Sequence, residues 1–161
     1  ATKKLPLEIF LYKDIFEFIE REFKEKSKSL EVEIIDKIED ENLHIRTNKE
    51  GLKIIISNLI DNAKKHGFKN KIGNNKIELI FYMDSEILSL SVRNNGIPFE
   101  ENISKEKFIE KGLKSKNSMG TGIGGSIISQ YCEKLEINEW ELNHNKKDPF
   151  KVEFIFKFNQ V

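Results

Sequence analysis

The chain has 161 residues and a mass of 18.8 kDa, which is the size of one domain. Its 27 basic and 27 acidic side chains cancel to a net charge of 0, so the positive excess typical of proteins that bind nucleic acid or anionic membranes is missing. The single cysteine, Cys132, excludes an internal disulfide, and no apolar run approaches the roughly 20 residues that span a bilayer. We therefore expect one cytoplasmic domain over residues 1–161, with no nucleic-acid partner and no direct membrane contact, so that any membrane anchor would lie outside it.

The first segment of the chain has the spacing of an amphipathic helix. Apolar residues recur with charges between them from Phe10 to Phe23, which predicts a helix from after Pro6 to about Lys28. The period then changes, and alternating apolar residues at 32–34 and 43–45 predict two short strands.

A second helix and a hairpin follow. Thr47 and Glu50 have the spacing of a capping box, which predicts a helix from there to about His66. Alternation on both sides of Asp84 predicts a β-hairpin. Residues 94–119 lack periodicity and predict a long loop.

The last third completes a two-layer arrangement. We expect only one helical turn near Phe108, then a helix that opens at the glycine cluster Gly120–Gly125. Strands are predicted at 137–142 and 150–158, the second with one apolar and one charged face. These elements predict an α/β (α+β) two-layer sandwich whose mixed, mostly antiparallel sheet has helices packed on one face.

Three polar side chains form a stripe on the second predicted helix. Asn58, Asn62 and Lys65 follow the spacing i, i+4, i+7 and border its apolar face. A solvated helix face explains such a stripe. The alternative is a neutral oxygen ligand for Mg²⁺ with a cation nearby for phosphate.

Two further segments have the chemistry of a phosphate site. Glycines at the start of a helix expose backbone N–H groups to an anion, so Gly120–Gly125 can cradle phosphates, and a structural turn is the lesser alternative. A dinucleotide fingerprint is not favoured because a polar loop, not a strand, leads into the glycines. The turn Asn94-Asn95-Gly96-Ile97-Pro98 ends a predicted strand, and turn chemistry alone would explain it.

Taken together, these motifs resemble the GHKL superfamily (Bergerat fold), and within it the catalytic ATP-binding domain of bacterial sensor histidine kinases. Residues 58–66 resemble its N box, 94–99 its G1 box, Phe108 its F box and 120–125 its G2 box. Residues 97–119 then correspond to the ATP lid. The resemblance implies a protein histidine kinase domain that uses ATP and Mg²⁺ and transfers the γ-phosphoryl group to a histidine.

The resemblance also implies residue roles. Asn62 would be the Mg²⁺ ligand, with Asn58 supporting it and Lys65 meeting the phosphates as catalytic residues. The remaining nucleotide contacts would be His66, Asn94, Gly96, Phe99, Lys114, Lys116, Gly120, Thr121, Gly122, Ile123, Gly124 and Gly125. The family's phosphoacceptor motif is absent, so the histidine is expected on a dimerisation domain of the same kinase outside this chain, with a response regulator downstream.

Departures from the family pattern keep alternatives open. Hydrolytic members have a general-base Glu where this chain has Asn58, which fits a kinase rather than a hydrolase. The family usually has Asp at the position of Asn94 and often Thr near Val152, both serving the adenine. A nucleotide-sensing or inactive module of the same fold, and an anti-sigma-type Ser/Thr protein kinase, are the competing interpretations.

Overall fold

The structure is a computed structural model that describes residues 5–69, 73–99, 103–115 and 124–161. The first half contains β1 (Glu8–Leu11), α1 (Tyr12–Phe23), β2 (Glu25–Lys26), β3 (Glu31–Asp36), β4 (His44–Thr47) and α2 (Lys49–Asn62), which continues as a π-helical turn (Ala63–Gly67). The second half contains β5 (Lys76–Asp84), β6 (Ile87–Asn94), α3 (Lys105–Ser115), α4 (Gly124–Lys134), β7 (Glu139–His144) and β8 (Val152–Lys157).

The strands form a six-stranded sheet and a two-stranded ribbon. The sheet has the order β2-β3-β5-β6-β8-β7, in which only β3 and β5 run parallel. The ribbon pairs β1 with β4 in antiparallel fashion. The predicted mixed, mostly antiparallel sheet is therefore confirmed.

The core lies between one face of the sheet and the helices. Alternate residues of β8, such as Phe154 and Phe156, are 3% and 1% exposed, and they join one apolar cluster with Ile55 and Ile56 of α2. Each such side chain contributes about 1.5–3 kcal/mol when it leaves water. Among the described residues, no helix has the length and apolar character required to cross a membrane.

The prediction of a helix from Pro6 to Lys28 is wrong at both ends. Residues 8–11 form a strand because their backbone pairs with β4, with Phe10 opposite Ile45. Helix α1 ends at Phe23, since Lys24 is extended and the next two residues pair with β3. A strand of four residues contains too few apolar positions for a strand period to be distinguished from a helix period.

The capping box is also wrong. The side chain of Asn48, not Thr47, caps α2 by accepting a hydrogen bond from Gly51 N at 2.9 Å, and its Nδ2 donates to Pro6 O. Thr47 instead ends β4 and is fully buried, because β4 runs two residues further than expected.

The other differences concern helix and strand ends. The single turn near Phe108 is in fact the 11-residue helix α3, held by burial of Phe108 itself. Strand β7 begins two residues later than predicted because Glu136 has a positive φ of 59° and Ile137 N still donates to Cys132 O in α4.

Candidate functional site

The carboxyl end of α2 carries the predicted polar stripe. Asn58 is half-buried, and its Nδ2 donates to Ile54 O at 2.9 Å within the helix. Asn62, one turn later, has a buried Nδ2 with no hydrogen-bond partner among the described residues. The helix then widens into the π-helical turn, a distortion frequent at functional sites, on which Lys65 is exposed.

The buried amide of Asn62 fits the role of a Mg²⁺ ligand. A buried polar atom without a partner costs about 1–3 kcal/mol, so such atoms require a reason. The two ends of an amide are exchanged by a rotation of about 180°, which puts the carbonyl oxygen in the place of the nitrogen. A neutral oxygen at this position suits Mg²⁺, which binds few protein ligands and keeps several waters.

The turn after β6 docks onto the end of α2. Gly96 N donates to Asn94 Oδ1 at 2.9 Å, and Ile97 N donates to Gly67 O at 2.7 Å. A Cβ on Gly96 would lie 2.6 Å from the carbonyl carbon and oxygen of Gly67. Gly96 is therefore required for the contact that joins the two predicted motifs. Its partner Gly67 was not predicted as part of the site, although a glycine at a helix end was the available signal.

Positively charged side chains lie near the carboxyl end of α2. His66 is exposed on the π-helical turn, and partial desolvation, followed by the charges of Lys65, Lys69 and Lys111, lowers its pKa below the ordinary 6.5. Lys111 belongs to α3, so a charge from another helix also acts at the carboxyl end of α2. The cluster favours an anionic ligand.

Aromatic rings form the wall between α3 and the sheet. Phe99 lies 5.5 Å from the Phe108 ring and 6.0 Å from the His144 ring, and Phe108 lies 5.3 Å from Phe154. The His144 ring contacts Ile103 O through Nε2 at 2.9 Å. The sequence provided no signal for this contact, because it joins residues 41 positions apart.

Helix α4 runs beside α2. The two helices pack together, and a Cβ on Gly51, near the start of α2, would meet Leu135, just after the end of α4. The helices are therefore antiparallel, which directs the amino end of α4 towards Asn62.

The glycine cluster is described only in part. Gly124 begins α4, and Gly125 is buried where an added Cβ would overlap Phe108 O. The predicted contacts Lys116, Gly120, Thr121, Gly122 and Ile123, with the side chain of Lys114, lie outside the described residues.

The geometry thus brings together the ends of α2 and β6 and the start of α4. Residues 47–160 match the sequence model of the family described as Histidine kinase-, DNA gyrase B-, and HSP90-like ATPase. The chain belongs to this family. The fold agrees with that of solved relatives of the histidine kinase type, so the predicted GHKL-type fold is confirmed.

Two solved structures illustrate the likeness. The catalytic domain of histidine kinase ThkA superposes with a TM-score of 0.66 at 20% identity, covering 97% of this chain and 99% of that one. The ATP binding domain of PrrB from Mycobacterium tuberculosis gives 0.62 at 12% identity, covering 98% and 99%.

Curated relatives match over about half of the chain. A probable C4-dicarboxylate sensor kinase of Halalkalibacterium halodurans is 29% identical over 85 residues, which is 53% of this chain and 16% of that protein. The sensor protein LytS of Staphylococcus haemolyticus is 28% identical over 92 residues, which is 52% of this chain and 16% of that protein. The matched part is thus a small fraction of each relative. This member of the ATPase family is an ATP-binding catalytic domain of the kind found in sensor histidine kinases.

Proposed function

We propose that the domain, as one unit over residues 1–161, transfers the γ-phosphoryl group of Mg²⁺-bound ATP to a histidine on a dimerisation domain of the same kinase. The phosphoryl group then passes to a response regulator, and both steps take place in the cytoplasm. The buried amide nitrogen of Asn62, which has no partner among the described residues, is the observation that carries the proposal, because Asn62 stands at the position expected for the family's metal ligand.

The proposed site divides into a phosphate end and a base end. Asn62 would hold Mg²⁺, which neutralises phosphate charge when bound, while Lys65 and the cations near His66 attract the triphosphate. Asn94 and Phe99 would contact the base. The further phosphate contacts proposed are Lys114, Lys116 and the glycine-rich segment 120–125.

Transfer is favoured over hydrolysis by the chemistry of Asn58. Its side chain is an amide that donates to Ile54 O, so it cannot take a proton from an attacking water. Catalysis then rests on positioning the phosphoryl group for a separate nucleophile and stabilising its charge.

A transfer assay tests the proposal. The domain is incubated with Mg²⁺ and ATP labelled at the γ-phosphate, together with histidine hairpin domains taken from related sensor kinases. We expect label on the hairpin in an acid-labile form, and none on a control hairpin whose histidine is replaced by Gln. Acid-stable label on a Ser-bearing partner would support the anti-sigma type instead. Nucleotide binding without transfer to any hairpin would indicate an inactive or sensing module, which the residues Asn94 and Val152 favour.

A further inference from the structure

A row of four side chains crosses the end of the sheet beside the proposed base end. In the strand register, Ile77 of β5 lies opposite Asn94 of β6, and Asn94 lies opposite Val152 of β8. His144 of β7 follows, opposite Val152. Paired residues on adjacent strands share a face of the sheet. Since Ile77 and Val152 are 1% and 3% exposed, Asn94 is an amide flanked by two buried apolar side chains.

The orientation of the Asn94 amide is set by its neighbour. Gly96 N–H can only donate, so the atom that faces it at 2.9 Å is the acceptor Oδ1. The same oxygen lies against Gly67, whose added Cβ would come within 3.2 Å of it. For Nδ2 no hydrogen bond to another described residue is seen. Asn94 therefore presents a donor, and not an acceptor, to a ligand at this end of the sheet.

The rest of the row supplies no exposed acceptor. Val152 has no polar side-chain atom. The His144 ring uses Nε2 for Ile103 O, and its Nδ1 is shielded from solvent, without a partner among the described residues. A ligand in contact with this row thus meets one amide donor on an apolar floor, and its edge atom must be an acceptor to pair with it.

Purine bases differ at this edge atom. The 6-amino group of adenine is a donor, and it repels the Asn94 donor. The 6-oxo group of hypoxanthine or guanine is an acceptor, and it pairs with that donor. We propose that Asn94 makes the domain a 6-oxopurine nucleoside triphosphate site, which binds such nucleotides at least as tightly as ATP. This inference rests on the proposed function, because it assumes that position 6 of the nucleotide base, and not N1, which is an acceptor in adenine, lies against Asn94.

The test is a pair of calorimetric titrations with ATP and inosine triphosphate (ITP), both with Mg²⁺. The two nucleotides differ only at position 6 and in the N1 proton that follows from it. For the wild-type domain we expect ITP to bind at least as tightly as ATP. Asn94→Asp replaces the donor with an acceptor, so it should shift the ratio towards ATP by about tenfold, the effect of one good hydrogen bond.

Asn95→Asp is the matched control for added charge. The Asn95 side chain accepts from Lys76 N and donates to Asn74 O, so it is held away from the row. This variant should keep the wild-type ratio of ATP to ITP affinity.

The outcomes separate the two proposals. Tighter binding of ATP than of ITP by the wild-type domain overturns this inference and leaves the proposed function standing, and that comparison needs no variant to fold. An unchanged ratio in folded Asn94→Asp also overturns it. If neither nucleotide binds at millimolar concentration, the proposed function and this inference both fail.

Discussion

His66 illustrates how a single residue responds to the charges of its site. Its pKa is lowered, first by desolvation and then by three lysines. The unfolded chain therefore takes up a proton more readily than the folded domain, and stability is lost as the pH falls below about 6.5. Above that value both states are neutral at His66, so the effect vanishes.

His66→Gln should remove the loss of stability that His66 causes when the pH falls below about 6.5. The unfolding temperature of the variant minus that of the wild type should be larger at pH 5.5 than at pH 8. Thermal unfolding followed by circular dichroism at the two pH values measures the change. A difference between the two proteins that does not vary with pH would contradict the proposed environment of His66.

At the same scale, the sequence could predict which polar residues share one helix face but not how the candidate site residues are oriented. The spacing of Asn58, Asn62 and Lys65 is fixed by helical geometry, so the stripe on α2 could be predicted. The orientation of the Asn94 amide depends on Gly96 and Gly67, and the second of these lies 27 residues upstream of Asn94 in the chain. Contacts between distant segments leave no periodic signal.

Close packing of α3 on α4 is the main finding at the level of elements. An added Cβ on Gly125 would overlap the backbone of Phe108, and a carbonyl in a helix cannot move aside as a side chain can. An added Cβ on Gly51 would lie 2.8 and 2.9 Å from terminal side-chain atoms of Leu135 and Leu5, which can shift.

Gly125→Ala and Gly51→Ala are therefore a matched pair of helix variants. Gly125→Ala should lower the free energy of unfolding by about 1–3 kcal/mol, the usual cost of overpacking. Gly51→Ala should be neutral or stabilising, because alanine is favoured over glycine in a helix by about 1 kcal/mol. Chemical denaturation measures both. Equal losses in the two variants would show that α3 does not pack on Gly125 as described.

The elements that were mispredicted share a physical cause. Helix α3 contains Gly112, which disfavours a helix by about 1 kcal/mol relative to alanine, and its few apolar residues give a weak periodic signal. Burial of Phe108 stabilises the helix despite this weak local signal. Strand β1 exists because its backbone pairs with β4, which no local pattern reports. In contrast, β8 alternates strictly and was predicted to within two residues at its start.

At the scale of the whole molecule, the fold places three separate motifs at one end. Antiparallel packing of α2 and α4 and the docking of the Gly96 turn on Gly67 bring them there. The alternation of the strands and the helical spacing between them were sufficient to predict the sheet class. The same patterns could not predict that the buried Nδ2 of Asn62 has no partner in the described ranges, because this depends on everything packed around it.

The most direct test of this account is calorimetric titration of ATP with and without Mg²⁺ into the wild-type domain and Asn62→Ala. The wild-type domain should bind ATP more tightly with Mg²⁺ than without it. Asn62→Ala should bind ATP in the presence of Mg²⁺ at least about tenfold more weakly than the wild type, since even residues that only support metal ligands contribute as much. Its unfolding temperature should not fall, because the buried Nδ2 that it removes has no partner in the part of the chain that the structure describes. The exposed Asn42→Ala is the control and should match the wild type. Unchanged Mg²⁺-dependent affinity in Asn62→Ala, with a lower unfolding temperature, would contradict the account.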